Sequence, residues 1–357
     1  MVVKNKTEQI AEEFSKTPDQ AWQNFEKLTT WLEREDVALK LSSDKKAYEN
    51  FLKLYRQKVE PFIRESFYDI YFNNDRMKIL AQQYEVEGNV EIPFLKDEKL
   101  AEISDWAVEN LEPNGKFRKQ PRYTYPPGEA VTFPDGDPRK QIMSEVNMTA
   151  CSASLMKTDD IMMWVYHSPH LMEFTRKIMK FNAIYPYNEC EIGLAINISR
   201  PVSPLKTYNG KKPELSLAFH FDSINSSPYS KDSTAIIQAR GATGVIGIKD
   251  CKLGGERIVF PTVNREEVNT VQNIVSNFSS DADTIDTPFD GHRPKVVREP
   301  VAGVLCLFNG GNQLHAVASV KEGLRVIAAF LYCEENPDIA KDGNKNVMNN
   351  SVNAFYN

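Results

Sequence analysis

Short apolar runs separated by turn residues fill the chain from about residue 190 onward, and they restrict the fold more than any other feature. These runs are CEIGLAINISR, STAIIQARG, ERIVFP, GVLCLFN and LRVIAAFLY. Runs of this length between turn residues are typical of strands in a β-sandwich or barrel. We therefore predict a β-sandwich or barrel for this part of the chain.

The N-terminal part of the chain has the spacing of helices instead. Thr17 and Pro18 have the composition of a helix N-cap and first turn, and apolar residues follow at helical intervals. A second cap at Ser43 precedes an aromatic stripe that runs to Ile63, and Pro61 is predicted to bend this helix. Such a stripe could bind a partner protein, but core packing is favoured, because an amphipathic helix normally buries its apolar face within its own domain.

These patterns divide the chain into three parts. We predict a helical region packed on the core over residues 1–112, a β-domain over 113–335, and a polar, Asn-rich tail over 336–357. Residues 112–140 are rich in Pro, Gly and Arg, which favours a long loop, and residues 158–181 favour a helix. We expect the helical region to support the β-domain from one side.

The composition is that of an ordinary globular protein. The chain has 357 residues, 41% hydrophobic and 26% charged, with a net charge of -6. Lys and Arg are scattered, which argues against a nucleic-acid or membrane partner, and the polar, acidic start of the chain is unlike a secretory signal. No apolar run reaches the roughly 18 residues of a membrane span. The five cysteines are widely spaced and odd in number, which favours reduced thiols and a cytoplasmic location.

The segment LSLAFHFDSINSS, residues 215–227, contains one of only five histidines in the chain. If this segment is a strand, alternation places His220 and Asp222 on one face, and Phe219 and Phe221 on the other. A nitrogen ligand and a carboxylate ligand would then converge on one point. This pair supplies two of the three ligands of a metal centre.

A third ligand must come from elsewhere in the chain. His315 lies near the start of a predicted β-hairpin, and two His plus one carboxylate with open positions form the facial triad of non-haem Fe(II) oxygenases. His167 and His170 could share a helical face as zinc ligands, but no Cys or carboxylate stands at a suitable spacing, so a cap or surface role is favoured. His292 lies in a polar loop, where a surface role is favoured over a pocket lid.

Arg325 follows His315 in the same predicted hairpin. Gly323 favours a turn near 321–323, which would place Arg325 opposite residues 318–320 and roughly 10–17 Å along the strand from His315. A guanidinium at that distance could bind, bidentately, the far carboxylate of a five-carbon dicarboxylate that chelates the metal. Taken alone, Arg325 would be interpreted as a solvent-exposed residue after a turn.

Together these residues resemble the Fe(II)/2-oxoglutarate-dependent dioxygenases. The similarity covers residues from about 190 to 333, and its parts are LAINISRP, His220-Phe221-Asp222, the strand GGERIVFP that begins at Gly254, and His315 followed by Arg325. Many members have Arg-x-Ser where this chain has Arg325 followed by Val326 and Ile327. A second anchor for the co-substrate carboxylate is therefore not assigned.

The resemblance implies both a fold and a chemistry. It implies an α+β protein with a double-stranded β-helix (jelly-roll) core and N-terminal helices. His220, Asp222 and His315 would hold the catalytic Fe(II), and Arg325 and Asn197 would bind 2-oxoglutarate. With O2 as the oxidant, the enzyme would hydroxylate or ring-close a small molecule and release succinate and CO2. The N-terminal arrangement is also reminiscent of the kainoid synthases, which implies an amino-acid-derived substrate in specialised metabolism.

Further polar residues are candidate substrate ligands. They are Arg122, Tyr125, Arg200, Asn225 and Arg240. Arg200 is as compatible with a surface charge at a strand end as with a pocket residue, and the loop that holds Arg122 and Tyr125 has a composition that is often only structural. Two other functions remain open: a cupin-type metal-dependent isomerase or lyase that does not use 2-oxoglutarate, and a non-catalytic 2-oxoglutarate sensor whose helices bind a partner.

Overall fold

The structure is a computed structural model in which a large antiparallel sheet lies between helices and a smaller antiparallel sheet. No helix among the described residues is long and apolar enough to cross a membrane. The described residues are 57–118, 121–122, 144–145, 147–157, 160–182, 184–186, 193–201, 215–220, 241–260, 296–298, 301–310 and 313–333.

Caps recognisable in the sequence define the helices. Asn73 accepts hydrogen bonds from the N–H groups of Asp75 and Arg76 at 3.1 and 3.0 Å, and Gly88 ends the same helix in the left-handed conformation with φ 70. The α-helices that lie wholly within the described residues are α1 (Glu65–Tyr71), α2 (Asn74–Glu87), α3 (Asp97–Trp106), α4 (Ile161–Tyr166) and α5 (Pro169–Met179). Single helical turns lie at Glu60–Phe62, Ala107–Leu111, Glu112–Asn114 and Ala153–Leu155.

The helix predicted over 158–181 consists of two helices in the structure. The first, α4, ends at Tyr166, and α5 begins at Pro169 with Ser168 as its N-cap, accepting from the Leu171 N–H at 3.2 Å. Proline has no N–H to continue the preceding helix, and it disfavours helical backbone at the residue before it. The single-helix prediction was therefore wrong at this point.

The large sheet has eight strands among the described residues, and every pairing in it is antiparallel. In spatial order its strands are β1 (Asn89–Pro93), β13 (Val304–Phe308), β9 (Gly241–Lys249), β16 (Arg325–Cys333), β7 (Leu194–Ser199), β5 (Met148–Ser152) and β2 (Lys116–Arg118), and β6 (Tyr185–Pro186) also pairs with β16. Central strands of this sheet are buried on both faces, which explains their nearly continuous apolar sequences.

The smaller sheet has four described strands and covers one face of the large sheet. Its spatial order is β12 (Val296–Arg298), β11 (Arg257–Phe260), β14 (Leu314–Ala318) and β8 (Leu215–His220). Two further strand pairs are β3 (Pro121–Arg122) with β4 (Ser144–Glu145), and β10 (Leu253–Gly254) with β15 (Val320–Glu322). The strand-rich prediction for the chain beyond residue 190 is confirmed within these ranges.

Alternation along β16 separates two environments. Val326, Ala328, Phe330 and Tyr332 belong to the apolar core shared with the helices, and Tyr332 stacks on Tyr166 of α4 with 5.2 Å between ring centroids. Each fully buried side chain of this kind stabilises the fold by roughly 1.5–3 kcal/mol. Residues of the other parity, beginning with Arg325, lie on the face that is turned away from the helices.

The part of the chain predicted as helical also supplies a strand. Residues 89–93 form β1, which pairs with β13 over the whole of its length, from Asn89 opposite Phe308 to Pro93 opposite Val304. The predicted division after residue 112 therefore does not separate the helices from the large sheet. Residues 1–56 and 334–357 lie outside the described residues.

Candidate functional site

Two of the predicted metal ligands occupy paired positions in the smaller sheet. His315 of β14 is the register partner of His220 of β8. Residues directly opposite one another in an antiparallel pair belong to the same face of the sheet, so these two positions share a face. His220 and His315 are 95 residues apart in the sequence, and the pairing places them opposite one another.

A backbone hydrogen bond orients the ring of His315. The side chain is buried, and its Nδ1 lies 2.8 Å from the carbonyl oxygen of Gln313. A carbonyl accepts but cannot donate, so this bond places the proton on Nδ1 and the lone pair on Nε2, the arrangement that a metal-binding imidazole needs. The ring also packs edge-on against Phe308 of the large sheet, with 5.1 Å between centroids.

Gln313 is itself fixed by the end of α2. Its side-chain Nε2 donates to the carbonyl of Glu87 at 3.2 Å, and it lies so close to Gly88 that a Cβ at that position would be 1.9 Å from the same atom. The backbone N–H of Gln313 donates to Asn309, and that of Asn309 donates to Gly88. The C-terminal cap of α2 thus supports the segment that carries His315.

Arg325 is a buried cation on the face of the large sheet turned away from the helices. Its exposed fraction is 7%, and its Nε makes no hydrogen bond with any described residue. Burial, together with the neighbouring charge of Arg257, lowers the pKa of Arg325 to about 10. The side chain packs on Gly255, where a Cβ would lie 2.8 Å from Arg325 Cδ, so only glycine leaves room for it.

The predicted hairpin between His315 and Arg325 was wrong. After β14 the chain enters β15, which pairs with β10, and then turns around Gly323 into β16 of the large sheet. Arg325 therefore lies opposite Ser199 of β7 and not opposite residues 318–320. His315 and Arg325 therefore belong to different sheets, because the chain changes sheets at this turn instead of returning along the same one.

Asn197, predicted to bind the co-substrate, lies on the same face as Arg325. The β7–β16 register pairs Asn197 with Ile327 and Ser199 with Arg325, and alternate residues of a strand share a face. The side chain of Asn197 is partly exposed. This position is compatible with the predicted contact.

Arg200 binds a carboxylate outside this interior. Its guanidinium forms two hydrogen bonds to Glu112, one of them at 2.7 Å between Nη2 and Oε2. Arg200 has the parity of Ile198, which belongs to the core shared with the helices. We therefore leave Arg200 out of the proposed site.

The remaining predicted site residues are only partly within the described residues. Arg122 lies in β3, opposite Ser144 of β4, and β4 lies beside β8, the strand that ends at His220. The predicted residues Asp222, Tyr125, Asn225, Arg240 and His292 lie outside the described residues. Within those ranges no group of three His, Cys, Asp or Glu side chains is placed to hold a metal ion.

The cap or surface role predicted for His167 and His170 is confirmed only in part: His167 caps a helix, but neither residue lies at the surface. His167 is the C-cap of α4, where its Nδ1 lies 2.9 Å from the Met163 carbonyl, and burial lowers its pKa to about 4. His170 is fully buried between the rings of Tyr68 and Tyr71, at centroid distances of 5.6 and 5.4 Å. Both belong to the helical layer because Pro169 starts a helix whose apolar face packs against α1.

One charged residue of the interior was not among the predicted site residues. Arg257 begins β11, is 9% exposed, and places its guanidinium carbon 4.4 Å from the centre of the Phe308 ring. Its Nη2 donates to Glu91 at 3.3 Å. The run GGERIVFP contained this residue, but only the register with β14 shows which face it occupies.

No family model matches the chain, and no curated protein matches it. Similar solved structures include a 2OG-Fe(II) oxygenase family oxidoreductase from Burkholderia pseudomallei, at 13% identity and TM-score 0.42 over 74% of this chain and 93% of that one. The epimerase SnoN in complex with Fe3+, alpha ketoglutarate and nogalamycin RO has 14% identity and TM-score 0.40, over 73% and 84%. A prolyl hydroxylase from Trichoplax adhaerens has 12% identity and TM-score 0.41, over 72% and 88%. Each TM-score lies below 0.5, so the function proposed next rests on the residues of the site.

Proposed function

We propose that the protein is an Fe(II)/2-oxoglutarate-dependent oxygenase built on a jelly-roll core. The observation that carries this proposal is the buried guanidinium of Arg325, whose Nε has no hydrogen-bond partner among the described residues and which lies on the interior face opposite the sheet of His315. A desolvated cation costs several kcal/mol unless an anion compensates it. A dicarboxylate held between the histidines and Arg325 would supply that anion.

The residues present fit a metal of this class. His220 and His315 would supply two imidazole ligands and Asp222 the carboxylate, and the bond from His315 Nδ1 to Gln313 directs the other ring nitrogen for binding. Bound Fe(II), with 2-oxoglutarate and O2, would supply the oxidising power for C–H bond cleavage, with succinate and CO2 as co-products. Arg325 would orient 2-oxoglutarate through its far carboxylate, and Phe308 would help to exclude water from the metal side.

We further infer a small, amino-acid-derived substrate that is hydroxylated or ring-closed, as in the kainoid synthases of specialised metabolism. The position of Arg122 supports this inference, because its strand pair lies beside the strand that ends at His220. Tyr125, Asn225 and Arg240 are the other proposed contacts. The substrate would enter from this side and meet the metal opposite Arg325.

Anaerobic titration of the iron-loaded protein with 2-oxoglutarate tests the proposal, followed through the visible charge-transfer band of the chelate. Arg325→Ala should still bind iron, but its affinity for 2-oxoglutarate should fall by roughly 30-fold to several thousand-fold. A desolvated, charge-assisted pair contributes roughly 2–5 kcal/mol to binding. Arg325→Lys should recover only part of the loss, since an ammonium lacks the planar fork. The matched control ligand is 2-oxobutyrate, which lacks the second carboxylate. Its affinity should fall much less between the wild type and Arg325→Ala.

The outcomes separate the competing functions. Equal 2-oxoglutarate binding by wild type and Arg325→Ala would remove Arg325 from the site and favour a cupin-type isomerase or lyase. Metal-dependent 2-oxoglutarate binding without any succinate release under O2, across amino acids and their N-alkyl derivatives, would favour a sensor. Succinate release that depends on one of these substrates would establish the oxygenase.

A further inference from the structure

A second buried guanidinium lies on the same face as the metal-binding histidine. The register pairs Arg257 with Val317 and Val259 with His315, so Arg257 is two residues, about 7 Å, along the strand from the level of His315. Phe308 contacts both side chains, at 4.4 Å from the Arg257 guanidinium carbon and 5.1 Å from the His315 ring centre. The sum of these distances, about 9.5 Å, is the upper limit for the separation of the two groups.

The hydrogen-bonding capacity of Arg257 is only partly used. Nη2 donates to Glu91 and the guanidinium also interacts with the Cys306 thiol, but Nε and Nη1 are buried and have no hydrogen-bond partner among the described residues. Packing against Phe308 offsets part of the cost of burying the charge. Each of the two Nη2 hydrogens belongs to a different edge of the planar group, so the bond to Glu91 leaves one edge with two donors unused. Two donors on one edge are what a carboxylate accepts bidentately.

The charges around Arg257 do not balance. Glu91 accepts from Arg257 at 3.3 Å and also lies 4.0 Å from Nε of Arg298, the register partner of Arg257 on β12. One carboxylate is therefore shared by two guanidinium groups, and Arg298 makes a second contact with Glu87 at 3.3 Å. Arg325 adds a third cation, which no described carboxylate pairs with. Among the described residues, three guanidinium groups (Arg257, Arg298 and Arg325) therefore share two paired carboxylates, those of Glu87 and Glu91.

We propose that Arg257 is a second carboxylate-binding residue of this interior, additional to Arg325. The inference deepens the proposed function, because it takes the face of His220 and His315 as the reacting side of the pocket. The carboxylate could belong to 2-oxoglutarate, whose second anchor is not assigned by sequence, or to the primary substrate. In either case Glu91 is its internal competitor, occupying one edge of the guanidinium until the ligand binds.

Three variants separate ligand binding from a structural role. Arg257→Leu should weaken carboxylate binding by at least about tenfold, because a charge-assisted pair is lost. Glu91→Gln should strengthen carboxylate binding by about threefold or more, because the competing anion is removed while a hydrogen-bond acceptor stays. Arg176→Leu is the matched control and should change affinity by less than about twofold, since its guanidinium pairs with Glu173 on α5 in the helical layer, away from the histidine face. If the leucine variant does not fold, Arg257→Lys tests the same contact, with a smaller loss expected.

Calorimetric titration of the Mn(II)-loaded protein identifies the source of the carboxylate. If Arg257→Leu weakens 2-oxoglutarate but not 2-oxobutyrate, Arg257 holds the far carboxylate of the co-substrate. If 2-oxoglutarate affinity is unchanged in Arg257→Leu, but acetate binds the 2-oxoglutarate-saturated variant more weakly than the saturated wild type, Arg257 holds a carboxylate of the substrate. Unchanged binding of all three ligands, or no tightening in Glu91→Gln, overturns the proposal. If the wild type binds no 2-oxoglutarate, the proposed function fails, and acetate binding to the metal-free variants still decides the role of Arg257.

Discussion

His315 and His220 are held opposite one another by the pairing of β14 with β8, so each contributes one imidazole to the proposed metal site. We expect His220→Ala and His315→Ala each to lower metal affinity by more than about 100-fold, because two remaining ligands form a weak site. Metal content after dialysis against Mn(II), alongside circular dichroism to confirm folding, measures this. Full metal occupancy in both folded variants would contradict the assignment.

His167 predicts a pH dependence of stability that is independent of the metal site. Burial lowers its pKa from 6.5 to about 4 in the folded protein, so below pH 6.5 the unfolded chain binds a proton that the folded chain does not. The free energy of unfolding should therefore fall as the pH drops from about 6.5 to 4, by about 3 kcal/mol in total, and should be unaffected by this group above that range.

Urea unfolding at pH 7 and at pH 4.5 checks this expectation against a matched variant. His167→Asn keeps a donor towards the Met163 carbonyl but does not titrate, so its stability should depend less steeply on pH than that of the wild type. Identical slopes in the two proteins would show that His167 does not contribute.

A site residue can be proposed from sequence only when its own side chain and spacing distinguish it. His220, His315 and Arg325 could be proposed from the sequence because each has a chemically distinctive side chain in a recognisable order. Arg257 was not, because arginine is common and its role depends on the parity of β11 relative to β14, which appears only in the register. The burial of His167 and His170 likewise depends on the packing of two helices whose contact no local pattern encodes.

The end of α2 links the helical layer to the proposed metal site through Gly88 and Gln313. Gly88→Ala would require a left-handed backbone at a residue with a Cβ, and that Cβ would overlap the Gln313 side chain. We expect a loss of about 1–3 kcal/mol in the free energy of unfolding, and weaker metal binding by roughly tenfold because the carbonyl that orients His315 moves.

The double variant Gly88→Ala with Gln313→Ala separates the two causes. Removing the glutamine side chain relieves the overlap but not the backbone strain, so the double variant should lose less stability than the sum of the single losses. Thermal unfolding and Mn(II) titration provide the two measurements. Additive losses would show that the overlap is relaxed elsewhere.

The sequence predicted the presence of strands and helices more reliably than it predicted which strands pair with one another. The turn at Gly323 is visible in the sequence, but whether a strand returns beside its neighbour or crosses to another sheet is decided by which apolar face must be covered. β16 crosses because alternate residues from Val326 onward are needed in the core shared with the helices. Pro169 on its own indicates a break between two helices. The apolar periodicity continues on both sides of it, however, and favoured one helix in the sequence analysis.

The whole molecule is not divisible at residue 112. β1 is paired with β13 along its full length, and Val90 and Ile92 lie in the core shared with the helices. We expect a fragment of residues 113–357 to be insoluble or to unfold without cooperativity, because it exposes the edge of β13 and the apolar face of the sheet. Expression beside the full chain, with thermal unfolding, tests this. A soluble fragment that unfolds cooperatively and binds 2-oxoglutarate would contradict it.

The central position of β16 has a consequence for the order in which the protein folds during synthesis. This strand is the last described one to be made, yet it lies between β9 and β7, which are completed more than 70 residues earlier. Those two strands cannot pair across the gap that β16 fills, so the large sheet has two open edges until residues 325–333 leave the ribosome. Contacts of such long sequence separation form slowly, and open strand edges favour association with other chains. The nascent protein should therefore need chaperone protection for most of its synthesis, and the proposed pocket should be completed only when Arg325 arrives.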